Sequence, residues 1–261
     1  MKAHQVKILI NKQVSDRYYL LKVDISSIEG KIEPGQFFNL RCSDQWYPFL
    51  RRPISVYKID RYDQTLEFLY LVKGLGTKKL AELKEGQLLD MFGPLGQGFH
   101  LQDGYDTILL LARGVGIATL AALAQKASED NRRVIGILSA RTQNDLLSAD
   151  YLSDMGVVIH KVTDEEGTSD MNSVTYLIEE ILQEYNIKAL YTCGSKRLSR
   201  LMQEVARQEQ LPGEIALEEH MGCAMGVCFA CVCDLNDGSA TKSVRVCVDG
   251  PVFPLEQVVI S

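Results

Sequence analysis

The sequence predicts a multidomain chain: an N-terminal antiparallel β-barrel over residues 1–100, a central parallel α/β sheet over 101–215, and a small cysteine-bearing unit over 216–261. Three observations predict it. The first hundred residues are short alternating segments separated by turn residues. Apolar runs then alternate with helix-length amphipathic stretches, and five of the seven cysteines crowd between Cys223 and Cys247. With 261 residues, 46% of them hydrophobic, a chain of this size buries about 70–75% of its unfolded surface and needs no disulfide staples.

In the first unit, strands are expected at Gln5–Asn11, Tyr18–Asp24, Gln36–Leu40, Ile54–Tyr57, Thr65–Val72 and Gln87–Phe92. Glu33-Pro34-Gly35, Lys73-Gly74-Leu75-Gly76 and Gly93-Pro94-Leu95-Gly96 break the chain between them. One brief helix is expected over Thr77–Leu83, with Thr77 as its N-cap. Six short strands and one helix suit a small antiparallel barrel.

The second unit changes rhythm. Apolar runs at Ile108–Ala112, Val134–Ser139, Val157–Thr163 and Ala189–Cys193 alternate with helical stretches at Gly116–Lys126, Asn144–Asp154, Ser173–Tyr185 and Ser195–Gln208. Such alternation builds a parallel sheet with crossover helices. Ligands of such sheets gather at the carboxyl ends of the strands, where Gly114, Gly116 and Cys193-Gly194 fall. In the third unit, Val232–Leu235 and Ser243–Val248 read as a hairpin turning at Asn236-Asp237-Gly238-Ser239.

Composition removes whole classes of function. A net charge of −6 argues against a nucleic-acid partner, because such domains carry a basic face. No apolar run approaches the roughly 20 residues of a membrane span. The start, MKAHQVKILINKQ, lacks the apolar region and cleavage site of a secretory signal. An odd, clustered set of cysteines in such a chain points to a metal or redox centre in the cytoplasm rather than to disulfides.

Cys223, Cys228 and Cys231 are spaced C-x4-C-x2-C, and Cys247 follows after fifteen residues. The first three match the plant-type [2Fe–2S] ligand spacing. Gly222 and Gly226 free the backbone to coil round one centre, and the hairpin returns Cys247 beside Cys231. Buried free thiols and a structural zinc are the competing readings; zinc loops usually carry two close cysteine pairs. Cys233 is a candidate replacement for Cys247, although it would crowd Cys231.

The barrel carries three anion-binding or turn motifs. Arg51-Arg52-Pro53-Ile54-Ser55 joins guanidinium groups able to grip a diphosphate to a hydroxyl able to bond a flavin ring nitrogen. Gly74-x-Gly76-Thr77 opens a helix, whose N-terminal N–H groups favour phosphate. Gly93-Pro94-Leu95-Gly96-Gln97-Gly98-Phe99 closes the unit. Singly each motif also fits an ordinary turn; their order before an α/β unit carries more weight.

With RRPIS, GLGT, GPLGQGF, EEHMGCAMGVCFACVC and VCVDGPVF in this order, the chain resembles the electron-transfer subunits of two-subunit, NAD-linked dihydroorotate dehydrogenases. These lie within the ferredoxin–NADP reductase-like superfamily, and the resemblance covers essentially the whole chain. It implies that the barrel binds FAD through Arg52, Pro53, Ile54, Ser55, Leu69, Tyr70, Leu71, Gly76 and Thr77. It implies a [2Fe–2S] cluster on Cys223, Cys228, Cys231 and Cys247, and NAD near Gly114, Gly116, Cys193 and Gly194. The implied partner is an FMN-containing subunit that oxidises dihydroorotate in pyrimidine biosynthesis, in a heterotetramer of two plus two. A reductase of another flavoenzyme or oxygenase, or a zinc-stabilised interaction subunit, is the alternative. The scarcity of histidines (His4, His100, His160 and His220) suits a chain that moves electrons rather than protons; His220 lies nearest the cysteines.

The family's glycine-rich GGGIGxAPL reads here Ala112-Arg113-Gly114-Val115-Gly116-Ile117-Ala118-Thr119-Leu120, and Cys-Gly-Pro reads Cys193-Gly194-Ser195. Three roles are open to Arg113. It pairs with a cofactor phosphate, it obstructs the nicotinamide site, or it points to solvent.

Overall fold

The computed structural model describes residues 2–260. Strands β1 (Lys2–Ser15), β2 (Tyr18–Asp24), β3 (Phe37–Leu40), β4 (Arg52–Ser55), β5 (Lys58–Asp60) and β6 (Thr65–Leu71) precede helix α1 (Leu75–Glu82) and strand β7 (Leu88–Leu95). They form one antiparallel half-barrel in the order β4-β3-β7-β1-β2-β6-β5. Alternation decides which face is buried. Val6, Ile8, Leu21, Val23, Leu89 and Met91 point inward with Phe38 and Phe68, whose rings meet edge to face at 5.9 Å.

Four local expectations are corrected. Gly93-Pro94-Leu95 does not break the chain; β7 runs through it, paired to Lys2 and Phe37. Glycine is needed there because a Cβ on Gly93 would lie 2.5 Å from the Phe38 ring. β4 begins at Arg52, so Arg52 and Pro53 stand on the strand itself, opposite Leu40 and Asn39; an edge strand tolerates the missing proline N–H. β5 escaped notice because it is three residues long, closed onto β6 by a turn in which Asp60 accepts the N–H groups of Tyr62 and Asp63. Thr77 is not the N-cap of α1. Gly74 is, and Thr77 sits one turn inside, its Oγ1 accepting the N–H groups of Lys73 (3.0 Å) and Gly74 (3.2 Å).

The second sheet is built from β8 (Thr107–Arg113), α2 (Ile117–Glu129), β9 (Arg133–Ala140), α3 (Ala149–Asp154), β10 (Val158–Thr163), α4 (Met171–Glu184), β11 (Ala189–Cys193), α5 (Lys196–Gln208) and β12 (Gly213–Ala216). The hairpin β13 (Val232–Asn236) and β14 (Thr241–Arg245) follows, then β15 (Val252–Pro254). The order is β10-β9-β8-β11-β12-β15, with all pairs parallel except β12–β15. β8 to β10 run outward one way and β11 to β12 the other. The switch point, where open α/β sheets bind ligands, therefore lies at the carboxyl ends of β8 and β11.

The expected helix over 144–154 is reduced to Ala149–Asp154, because Ser148 takes a left-handed conformation (φ 69°) that interrupts it. β12 and β15, four and three residues long, are too short for a periodic signal. Among the described residues no helix is long and apolar enough to cross a membrane.

Helix α4 lays Val174, Ile178 and Ile181 on the sheet, and Asp170 caps it by accepting the N–H groups of Asn172 and Ser173. The Ser173 hydroxyl and N–H hold the Asp170 carboxyl below its usual range. A depressed folded pKa means stability present above the ordinary carboxylate value of about 4, and lost as pH falls through the lower folded value. Thermal midpoints followed by circular dichroism should therefore fall on acidification below about pH 4. Asp170→Asn, which still caps, should fall less steeply over the same interval.

Candidate functional site

A cavity of about 320 Å³ lies where the three parts of the chain meet. Pro53, Ile54, Ser55 and Leu69–Leu71 line it from the barrel, Val115 and Ala118 from the start of α2, and Leu217–Met221 and Pro251 from the last segment. His220 thus faces this cavity. The two barrel arginines divide their work. Arg51 donates from Nη2 to Asp90 Oδ2 at 2.8 Å and from Nη1 to the Asp90 carbonyl at 3.1 Å, tying the loop before β4 to β7. Among the described residues Arg52 has no carboxylate partner: its Nη1 donates to main-chain carbonyls, and its guanidinium lies against Gly76, where any Cβ would strike it. The arginine of RRPIS and the helix start of GLGT thus form one cradle, with the Thr77 hydroxyl bound within the turn. Tyr70 is fully buried and donates to Asn11 Oδ1 at 3.0 Å.

Removing the Arg51 side chain leaves the Asp90 carboxylate half-buried, with Oδ1 already lacking a partner. Arg51→Ala should lower unfolding stability by about 1–3 kcal/mol, read from urea denaturation; no change would show the pair to be idle.

A second cleft, of about 620 Å³, opens at the switch point. Its floor is two loops packed backbone to backbone. A Cβ on Gly116 would lie 2.6 Å from the Cys193 carbonyl oxygen, and one on Gly194 (φ 105°) would strike that of Arg113. Gly114, Gly116, Cys193 and Gly194 are thereby brought together. The Cys193 thiol is buried in the apolar core and its backbone packs on Gly116, so Gly114 and Gly194 line the cleft while Gly116 and Cys193 lie behind it. Ser195, in place of the family's proline, caps α5 through Oγ, 3.4 Å from the Leu198 N–H. Thr119 is buried without a partner for its hydroxyl.

The cleft's charge is not legible from motifs. Arg17, Lys73, Arg113, Arg141, Lys196 and Arg197 line it against Asp145 and Glu218. Arg17, Lys73 and Arg141 come from loops, Arg113 from the end of β8 and Lys196-Arg197 from the start of α5, and only the fold gathers them at one end. Glu218 lies where this cleft and the first cavity meet. Its side chain is exposed at this junction, yet partial loss of hydration beside the surrounding protein pushes its carboxyl up, opposed by the Lys73 ammonium.

The cysteine loop, residues 222–231, coils through positive φ at Ala224, Gly226 and Phe229. Its N–H groups turn toward sulfur: Met225 N–H lies 3.3 Å from Cys223 Sγ, and Cys223 N–H 3.4 Å from Cys228 Sγ. Burial raises the Cys223 thiol, but hydrogen bonds from the Met225, Cys228 and Val227 N–H groups and the Cys228 thiol outweigh it and bring it to about 6. Across the loop, Val246 N–H bonds the Cys231 carbonyl at 2.9 Å and sets Cys247 beside Cys231; burial and that neighbour push Cys247 up to about 12. Arg245, which has no motif to announce it, clamps the loop: it donates to the Gly226 carbonyl and Asp249 and lies over the Phe229 ring.

Among the described residues no three His, Cys, Asp or Glu side chains converge on one metal ion. Cys223 neighbours Cys228 and Cys231 neighbours Cys247, with Cys223 also acting on Cys247. Two irons taking two thiolates each fit four thiols so grouped. Cys233 faces a different cavity, between α5 and the hairpin.

Comparison with known proteins agrees with this geometry. Residues 218–259 match the family model described as the iron-sulfur cluster binding domain of dihydroorotate dehydrogenase B. The chain is 35% identical, over the full length of both, to the dihydroorotate dehydrogenase B (NAD(+)) electron transfer subunits of Bacillus cereus (strain B4264) and Bacillus anthracis (strain CDC 684 / NRRL 3495). Among solved structures, an NADH-dependent reduced ferredoxin-NADP oxidoreductase superposes with a TM-score of 0.83 at 25% identity, covering 98% of this chain and 90% of that one. Ferredoxin-NADP+ reductase from Plasmodium falciparum shares the fold, with a TM-score of 0.61 at 15% identity over 82% of this chain and 96% of its own.

Fold and site together define an iron–sulfur flavoprotein built on the ferredoxin-reductase plan. The chain belongs to the family of electron transfer subunits of NAD-dependent dihydroorotate dehydrogenase B, an oxidoreductase subunit whose task implies a catalytic partner.

Proposed function

We propose that the chain relays electrons between an FMN-containing, dihydroorotate-oxidising partner and NAD+, using one FAD and one [2Fe–2S] cluster, in a cytoplasmic heterotetramer of two plus two. The observation that carries this reading is the shared cavity, where barrel, nucleotide sheet and cysteine segment all contribute walls. A flavin exchanges electrons singly or in pairs, which suits a position between a one-electron iron–sulfur centre and a nicotinamide that takes a hydride.

The barrel unit, residues 1–100, would hold FAD. Arg52 and Gly76-Thr77 cradle the diphosphate, and Pro53, Ile54, Ser55 and Leu69-Tyr70-Leu71 wall the ring. The 101–215 unit would take NAD at Gly114, Gly116, Cys193 and Gly194. The 216–261 unit would bind the cluster through Cys223, Cys228, Cys231 and Cys247, the N–H groups around Cys223 favouring its thiolate. Met225, Val227 and Phe229 leave an apolar rim exposed round that loop, suited to docking the partner.

The test is the purified, reconstituted chain, with and without its partner. It should contain FAD and iron and labile sulfide at about two per chain, and reduce an artificial acceptor with NADH. Dihydroorotate oxidation should appear only when the partner is added; oxidation by the chain alone would overturn the assignment.

A further inference from the structure

We propose that Arg113 is a binding residue for the diphosphate of the nicotinamide dinucleotide, its guanidinium held ready by Ser139 and Asp164. The inference rests on the nucleotide reading of the cationic cleft. It concerns a position where the family resemblance leads one to expect glycine.

Arg113 ends β8 at the switch point, directly before the Gly114–Gly116 turn that opens α2. Its Nη1 donates to Ser139 Oγ on β9 at 2.7 Å, and its Nη2 to Asp164 Oδ2 in the turn after β10 at 2.6 Å. Asp164 is itself fixed, by the Ser169 hydroxyl and by its own N–H to the Ala140 carbonyl. A guanidinium carries five N–H donors in one plane; two are engaged here, and three remain. The fork is therefore immobilised before any ligand arrives, which removes much of the ordering cost of binding.

Direction settles between the three open roles. The side chain is only 22% exposed, so it is not a solvent tail. From β8 it crosses β9 toward β10, away from β11 and from the Gly116–Cys193 contact. It lines the cationic cleft and takes no part in the walls of the cavity shared with Ser55 and Leu69. An obstruction of the nicotinamide ring would have to lean the other way. The same cleft also holds Arg141, from the loop after β9, Arg17, from the β1–β2 turn, and Lys73, Lys196 and Arg197, against the carboxylates of Asp145 and Glu218. In a chain of net charge −6, this local excess of cation is a place for a diphosphate.

The experiment measures ADP-ribose binding to the flavin- and iron-loaded protein by calorimetry, and NADH-driven reduction of ferricyanide, for wild type, R113G, R113Q and D164N. R113G should raise the Kd for ADP-ribose and the KM for NADH about tenfold or more, leave kcat and the flavin spectrum unchanged, and flatten the salt dependence of binding. D164N, which keeps the cation and loosens its seat, should weaken binding less than R113G. If R113G does not fold, R113Q carries the same expectation. Unchanged affinity with a lowered melting temperature would make Arg113 a brace between strands, and tighter binding would make it an obstruction; either overturns the proposal. Wild-type protein that binds neither ADP-ribose nor NADH would instead overturn the nucleotide reading of the cleft, and this inference with it.

Discussion

Cys247→Ser protein is expected to emerge without its cluster. Iron and labile sulfide should fall from about two per chain to background, with the visible absorption band lost. Dihydroorotate-driven NAD+ reduction by the assembled enzyme should fall by more than the roughly 10–100-fold that altering an outer-shell partner costs. The reason is local. Cys247 is buried and reaches Cys231 only because β13 and β14 fold back in register, Val232 opposite Arg245. A hydroxyl there is a poor substitute for a soft thiolate. NADH-driven dye reduction should persist, because the cavity walls contributed by Ser55 and Leu69 are untouched. Cys233→Ser is the control. It faces the space between α5 and the hairpin, so its iron content should be that of the wild type. Full iron in Cys247→Ser with loss in Cys233→Ser would exchange their roles.

Arg52→Ala should weaken FAD retention by about 100-fold, the combined cost of charge-assisted bonds to a diphosphate. The flavin would be lost on gel filtration and regained with excess FAD. Arg52 pairs with no carboxylate among the described residues and lies on Gly76 at the start of α1. Its neighbour Arg51 is committed to Asp90. Adjacent arginines thus predict opposite phenotypes: Arg52→Ala empties the protein without unfolding it, and Arg51→Ala unfolds it sooner without emptying it. Equal flavin loss in both variants would refute the division.

Much of the architecture is legible in the chain because it rests on local pattern. The limits of β11, Ala189–Cys193, coincide with an apolar run that only Thr192 interrupts, and the Cys223–Cys231 spacing is a property of one loop. What escapes is set by partners distant in sequence. β12 is a strand because it finds the edges of β11 and β15, and β15 because it finds the edge of β12. The passage through Gly93-Pro94 depends on the Phe38 ring beneath it. Thr77 has the chemistry of a cap but stands three residues inside the helix, because Gly74 takes the extended conformation first. The cationic cleft is the clearest case. Arg17, Lys73 and Arg141 carry no shared motif, and strand order alone makes them neighbours.

β12 and β15 are antiparallel neighbours, Ala216 opposite Val252, and the pairing continues outward through the Leu217 N–H to the Pro251 carbonyl. The thirty-odd intervening residues are therefore an excursion stitched shut at its neck. Loss of the proposed cluster is expected to slacken the excursion before the sheet edge that closes its neck, and the inorganic centre to be assembled after the reductase body has folded.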